Sequence, residues 1–418
     1  MPWDVAIVGG GPAGLMAAAC AASRGRRTLL LDRNREPGVK ILISGGTRCN
    51  LTHATDARGI VAAFGPPGRF LHSALAALGP QQVVDLFHAE GVPTKVEPGG
   101  KVFPASDRAV DVRDALMRRV HRAGCELALQ ETLLDVVRLS QQTAGNERPA
   151  PMFRLVTQRR MIDAEKLILA VGGQSYPAVG TTGDGYRWAA ALGHRIVPPR
   201  PALVPVTSHA PWVLALQGIT LPDVTVRVVE QDGACLASSR AAMLFAHFGV
   251  TGPAVMDVSY AVSRSATPSS LVLRCDLLPE VKESELDRQL AAGATTDGKR
   301  RAAGLMQPWL PRRVAETLLD LIGTPPDRPA GEFSKTERRR LARTIKQLDI
   351  PVSGTMGFRK AELTTGGVAL DEVDSRTMQS RLVPNLYFAG ELLDLNGPVG
   401  GYNFQAAFST GHLAGQSV

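Results

Sequence analysis

The stretch DVAIVGGGPAGLMAAACAASRGRRTLLLDR, residues 4–33, decides how the chain begins to fold. Residues 5–8 form a short apolar run suited to a buried parallel strand, Gly9, Gly11 and Gly14 stand in G-x-G-x-x-G spacing, and small residues predict a helix to about Ser23. The glycines serve three different needs, namely a tight turn, the approach of backbone to a pyrophosphate, and close packing of helix on strand. The helix, entered through Pro12 and Ala13, offers that phosphate the positive end of its dipole. Residues 28–31 read as a second strand, with Asp32 at its end placed to hydrogen-bond an adenosine ribose hydroxyl and Arg33 beside it. A surface charge at a strand end is the plain alternative for Asp32. Strand, turn, helix and terminal acid occur in the required order, so an α/β, Rossmann-type dinucleotide-binding unit is expected.

A second glycine-rich loop follows at once, GVKILISGGTRCNLTH at 38–53. Two such turns can serve one long cofactor, with Lys40 and Arg48 near its anionic or electron-rich atoms and Ser44, Gly45 and Gly46 giving backbone access; a coincidental surface loop is the alternative. In the middle of the chain, KLILAVGGQSYPAVGTTGDG (166–185) is a strand ending at Ala170, then Gly172 and Gly173, a turn that returns to a dinucleotide domain. Near the C-terminus, residues 386–389 predict a further strand, followed by Gly390 and Glu391 and by a glycine turn at Gly400 and Gly401 that opens a helix. One site assembled from three distant segments favours FAD over NAD. The helix starting near Gly401 can aim N–H groups at the flavin N1/C2 carbonyl, although simple capping also explains the glycines.

The chain has 418 residues, 44% of them hydrophobic, enough for two or three modules in a soluble globular protein. No apolar window of about 18 residues suggests a membrane span. The N-terminus enters a strand directly, which argues against export. Five scattered cysteines without C-x-x-C argue against a disulfide framework or structural zinc, and a cytoplasmic location is expected, with no metal called for. The net charge is +8, and nearly all the excess lies in 299–346, where twelve basic residues face five acidic ones. That segment reads either as a solvated helical face or as an electrostatic footprint for nucleic acid. Residues 203–276 carry strand-like runs expected of a small barrel or sheet; 281–323 read as amphipathic helices, and another basic helix starts at Lys335. The segment 141–151 reads as a hairpin connection.

Together with LFAHFGVTGPAV (244–255) and LTTGGV (363–368), these motifs resemble the aminoacetone-oxidase-like FAD flavoprotein family, which includes bile-acid ene-reductases and ribosomal-RNA dihydrouridine synthases. The resemblance runs through nearly the whole chain, with SGG-x-RCN and GGYN-x-Q its most specific parts. It implies a glutathione-reductase-type FAD-binding Rossmann domain (1–198 and 357–418), interrupted by a small β-barrel (199–276 and 331–356) and a helical insert (277–330). It also implies that Glu391 lies near the ribityl-pyrophosphate region, and that Gly401 and Asn403 touch the flavin edge. Phe404 and Leu133 complete the cofactor-binding candidates. The chain departs from the family at Thr47, where glycine is common, and at His53, where asparagine is common, which leaves the substrate open.

A flavin carries the hydride while the protein orients and supplies protons. FAD is expected to be non-covalent. With no second G-x-G-x-x-G, NAD(P)H would be a transient electron donor. Candidate proton donors are Cys49, Tyr402 and His247; their ordinary readings are a buried small side chain, a ring stacked beside the flavin and a structural histidine. The expected activity is hydride transfer to an activated C=C, with the basic segment tilting the substrate toward a uracil in ribosomal RNA. The alternatives are an oxygen-using oxidase of a small amine such as aminoacetone and a non-catalytic FAD protein that binds RNA or a partner.

Overall fold

Two parallel neighbours flank the N-terminal strand and leave its last four residues buried. Trp3–Val8 lies between Thr28–Asp32 and Met161–Leu169, with Ile7 opposite Leu30 on one side and Ile168 on the other. Glu126–Leu129 continues the parallel sheet outward from Thr28–Asp32, and Leu386–Phe388 does so from Met161–Leu169. The Pro12–Ser23 and Tyr402–Ser417 helices pack on this sheet, and Val5, Ala6, Ile7 and residues 29–31 are wholly buried, the continuous apolar runs of strands covered on both faces. Antiparallel additions finish the sheet: Val373–Asp374 with Gln379–Ser380 at one edge, and a meander of Leu133–Arg138 and Phe153–Thr157 folded back on Met161–Leu169. The computed structural model describes residues 1–139 and 152–418, so the hairpin connection expected at 141–151 lies outside the described residues.

The chain divides into two compact units, Met1–Pro201 with Glu362–Val418, and Ala202–Ala361. In the first, the small residues of the Pro12–Ser23 helix let the C-terminal helix Tyr402–Ser417 approach backbone to backbone. A Cβ on Gly411 would sit 2.2 Å from the Ala13 carbonyl oxygen, and one on Gly415 2.6 Å from that of Ala17. Pairing 13 with 411 and 17 with 415 makes the helices run in the same direction. At 1.5 Å per residue, the C-terminal helix therefore begins roughly 12 Å before the first one along that direction. Two positive helix ends are thus staggered within one unit, a spacing suited to a ligand with a phosphate at one end and an electron-accepting ring at the other.

The second unit is built on seven antiparallel strands, in the order Leu348–Pro351, Val272–Asp276, Thr220–Val229, Cys235–Ala246, Gly249–Thr251, Val206–Thr207 and Gly354–Thr355. Val224, Val226 and Val228 point inward at period two. The helices Glu283–Thr296, Arg312–Leu321 and Lys335–Lys346 form where the sequence predicts amphipathic segments, the last with a capping box between Ser334 and Glu337. Besides the short helix Pro211–Ala215, a full helix stands where the sequence pattern predicts only strands and turns: Pro253–Arg264. Its valines suggest a strand, but Pro253 takes the first helical position and Ala254, Val255, Val258, Ala261 and Val262 fall on one buried face.

Candidate functional site

The three motif glycines face different surroundings. Gly9 has φ +102°, and a Cβ there would lie 2.5 Å from the Ala170 carbonyl oxygen; a Cβ on Gly14 would lie 1.8 Å from that of Gly9. These two are fixed by backbone contact. Gly11 differs: nothing among the described residues lies within 4 Å of the position its Cβ would take. It caps the Pro12–Ser23 helix without any side-chain cap, and the first intrahelical bond runs from Leu15 N–H to Gly11 O. The Ala13 and Gly14 N–H groups precede that bond and so have no partner within the helix, the arrangement an anion needs.

Asp32 holds the turn. Its carboxylate accepts from Gly10 N–H and, at 2.7 Å, from Asn34 N–H, while burial raises its pKa above the usual carboxylate value. Arg33 reaches across to Thr182 at 2.7 Å and Asp184 at 3.0 Å, tying the second strand to the glycine-rich middle segment.

Four distant pieces of chain meet at Lys40. Its ammonium binds the Glu391 carboxylate and, at 2.8 Å, Ser175 Oγ; Glu391 also accepts from Ser175 Oγ at 2.8 Å and Thr364 N–H at 2.9 Å. Gly172 has φ +72°, and a Cβ on Gly173 would strike Thr364 Oγ1 and Glu391. Gly390, at φ +71°, brings its Cα against Ala13 and donates its N–H to Thr410 Oγ1 at 3.0 Å, so Glu391 is held beside the phosphate turn.

The loop after Ser44 is left-handed at Gly45, Gly46, Thr47 and Cys49. Ser44 Oγ donates to Ile41 O, and Ser44 O accepts from Cys49 N–H. Arg48 bonds Glu97 at 2.6 Å and Asp107 at 3.2 Å and lies over the Phe103 ring, so any role toward a phosphate would compete with two carboxylates. The Cys49 side chain is wholly enclosed, and burial pushes its thiol up to about 12. That enclosure favours the ordinary reading of Cys49, a buried small side chain, over its reading as a proton donor. Cys49→Ala is accordingly expected to keep its cofactor and to hold turnover within about threefold, well short of the roughly 10²-fold loss that follows removal of a general acid; stopped-flow reoxidation of the reduced flavin checks this.

The same loop runs into Thr52 and the start of the C-terminal helix. Gly401, at φ +93°, has no room for a side chain, because a Cβ would lie 2.4 Å from Thr52 O and 2.7 Å from Asn50 Oδ1. Tyr402 stacks on His53 at 4.6 Å between ring centroids, and His53 Nδ1 sits 3.1 Å from the Gly400 carbonyl oxygen, which makes it the protonated ring nitrogen. Asn403 directs its amide to Gly397, accepting from its N–H and donating to its carbonyl, both at 2.8 Å, and so closes the loop that leads into the helix. Phe404 packs toward Phe408. Leu133 is buried at the start of the meander opposite Thr157, and His247 is exposed on the turn between Cys235–Ala246 and Gly249–Thr251 in the second unit.

A family model described as the HI0933-like protein Rossmann domain matches residues 3–417. The chain belongs to this family. It is 34% identical to the ribosomal RNA dihydrouridine synthase of Escherichia coli, over 100% of this chain and 98% of that protein. It is 30% identical to the 3-dehydro-bile acid delta(4,6)-reductase of Clostridium scindens, over 99% and 98%. Among solved structures, Sdh1 of Mycobacterium smegmatis in its apo complex aligns with a TM-score of 0.51 at 14% identity, covering 100% of this chain and 68% of that one, a likeness of fold alone. The HI0933-like chain is thus an FAD flavoprotein and oxidoreductase with a Rossmann-type FAD domain. The residues present suit that cofactor: an open cradle at Gly11, a helix end at Gly401 without a side-chain cap, and a buried Asn50 Oδ1 beside it with no partner among the described residues.

Two features escape sequence reading. A Ser380–His194–Glu372 chain, at 2.8 and 3.1 Å, has the connectivity of a catalytic triad, but Ser380 Oγ also accepts from Leu382 and Val383 N–H and His194 is buried, so the trio is a structural tie. The arginine run at 338–340 also does not act as one patch. Arg338 donates to Asp287 at 2.8 Å and is mostly covered, whereas Arg339, Arg340 and Arg343 are exposed opposite the buried Leu341, Ala342 and Ile345. No helix among the described residues is long and apolar enough to cross a membrane.

Proposed function

We propose that the protein is an NAD(P)H-linked, FAD-dependent reductase of an activated C=C, and that its substrate is a uracil in ribosomal RNA. The observation that carries this reading is end-to-end similarity to a protein named ribosomal RNA dihydrouridine synthase. The bile-acid reductase relative supports C=C reduction over amine oxidation, since both names describe saturation of a conjugated double bond. In this reading the Ala13 and Gly14 N–H groups hold the pyrophosphate, Asp32 faces the adenosine ribose, and the Lys40–Glu391 pair borders the ribityl-pyrophosphate region. The N-terminus of the Tyr402–Ser417 helix receives the flavin carbonyl. Bound FAD would supply the two-electron step, taking hydride from NAD(P)H and delivering it to the electron-poor carbon.

The chain must then place one proton on the neighbouring carbon. Tyr402 is the candidate, half-buried at the helix N-terminus, with its ring fixed by His53 stacking. Tyr402→Phe is expected to keep FAD and its reduction by NAD(P)H while slowing substrate-dependent reoxidation by about 10²-fold. The reading as a whole is tested by mixing the reduced protein with ribosomal RNA, a small enone or aminoacetone under anaerobic conditions and following flavin absorbance. Rapid reoxidation by the RNA alone supports it. In a second arm, oxidised protein is mixed anaerobically with aminoacetone and then exposed to oxygen: bleaching by the amine followed by reoxidation by oxygen would make it an amine oxidase, and a flavin inert to every substrate in both arms would make it a binding protein.

A further inference from the structure

Asn50 is nine-tenths buried, yet its side-chain carbonyl oxygen has no hydrogen-bond partner among the described residues. That oxygen lies against Gly401, 2.7 Å from the position a Cβ would take there, at the N-terminus of the 16-residue Tyr402–Ser417 helix. A buried acceptor without a donor forfeits the hydrogen bond it had in water. Holding one at this place points to a donor that arrives with a ligand. The helix end itself presents N–H groups, which pair with ligand carbonyls. Donors and an acceptor therefore stand side by side, and the pyrimidine edge of an isoalloxazine, which carries a carbonyl, an N–H and a second carbonyl in succession, is their complement.

Resting on the FAD reading above, we propose that the Asn50 side-chain carbonyl accepts a hydrogen bond from the flavin ring N3–H. Asn50 is then a cofactor-binding residue that reads the hydrogen-bond pattern of the ring rather than its charge. Gly401 is the residue this packing requires, because any side chain there would meet the Asn50 oxygen. The neighbouring Cys49, held at φ +62°, sets the direction in which Asn50 leaves the loop.

The test is a titration of apoprotein with FAD and with FAD methylated at N3, read by quenching of flavin fluorescence and independent of turnover. Wild type should bind the N3-methyl analogue at least about tenfold more weakly than FAD, the scale of one lost hydrogen bond. Asn50→Ala removes the acceptor and leaves room for the methyl group, so it should bind FAD about tenfold more weakly than wild type and no longer distinguish the two flavins. Asn50→Asp keeps an acceptor and should keep the preference. Equal binding of both flavins by wild type overturns the proposal, and that comparison decides even if a variant fails to fold. So does a preference that survives in Asn50→Ala, or one lost in Asn50→Asp, which would mean that the amide donates. A wild-type apoprotein that binds neither flavin sinks the FAD reading itself and is recognisably a different failure.

Discussion

Replacing Gly11 with leucine is expected to give a folded protein without colour. Gly11 takes φ −78° and ψ −175°, an extended conformation open to any residue, and no atom of the described residues lies within 4 Å of its Cβ position. A leucine therefore fits the free chain without strain and fills the space over the Ala13 and Gly14 N–H groups. Displacing a pyrophosphate from those donors breaks at least two charge-assisted hydrogen bonds worth about 1.5–3 kcal/mol each, so FAD affinity should fall by on the order of 10²–10⁴-fold. Gly14 makes the contrast. A methyl group there would lie 1.8 Å from the Gly9 carbonyl oxygen, and that backbone cannot yield without moving the strand–helix turn. Gly14→Ala should therefore destabilise the protein by about 3 kcal/mol, the upper end for overpacking, and lose FAD through unfolding. Absorbance near the flavin bands together with thermal melts separates the two cases. A Gly11→Leu protein fully loaded with FAD would overturn the placement of the phosphate.

The difference between Gly11 and Gly14 marks how far a sequence can be read. Strand, turn, helix and Asp32 follow from local rules, because each depends on neighbours a few residues away, and all stand where residues 4–33 place them. The start of the C-terminal helix is legible for the same reason. What Lys40 does is not: Glu391 lies 351 residues along the chain, and nothing near Lys40 says that its charge is already balanced. Arg48 is harder still, since a cation in a glycine-rich loop suggests phosphate while Glu97 and Asp107 arrive from a separate hairpin and turn. Cys49 is a candidate proton donor by its place in the RCN motif, whereas its burial is a property of the packed core. The helix Pro253–Arg264 is illegible for another reason: its valines carry β propensity, and tertiary burial of a single face overrides that preference. Asn50 is visible in the RCN motif, but only the folded chain shows that its oxygen lacks a partner among the described residues.

If ribosomal RNA is the substrate, the outward face of the Lys335–Lys346 helix should supply phosphate contacts, through three arginines that differ from those the sequence run suggests. Arg338 is engaged by Asp287, and Lys346 is 2.7 Å from Asp276 and donates to the Leu278 and Val281 carbonyls, so neither charge is available. Arg339, Arg340 and Arg343 are exposed on one side of the helix; Arg339 is only loosely drawn to Asp287 at 3.6 Å. Each phosphate contact contributes about 0.7–0.9 to the slope of log affinity against log salt, so changing all three to glutamine should flatten that slope by between about 2 and 3 and weaken binding roughly 10²-fold near 0.1 M salt. The effect should be uniform across RNA sequences, because phosphate contacts position without reading bases. FAD content should be unchanged, since the cofactor residues belong to the other unit. Arg338→Gln is the control: it leaves Asp287 without its closest partner and should lower the melting temperature slightly while leaving the salt slope untouched. Filter binding or fluorescence anisotropy over a range of roughly 50 to 300 mM salt measures both affinity and slope. A triple variant with wild-type affinity and slope would remove this helix from the RNA surface, and a slope that changes with Arg338→Gln would show that the ion pair opens to meet the nucleic acid.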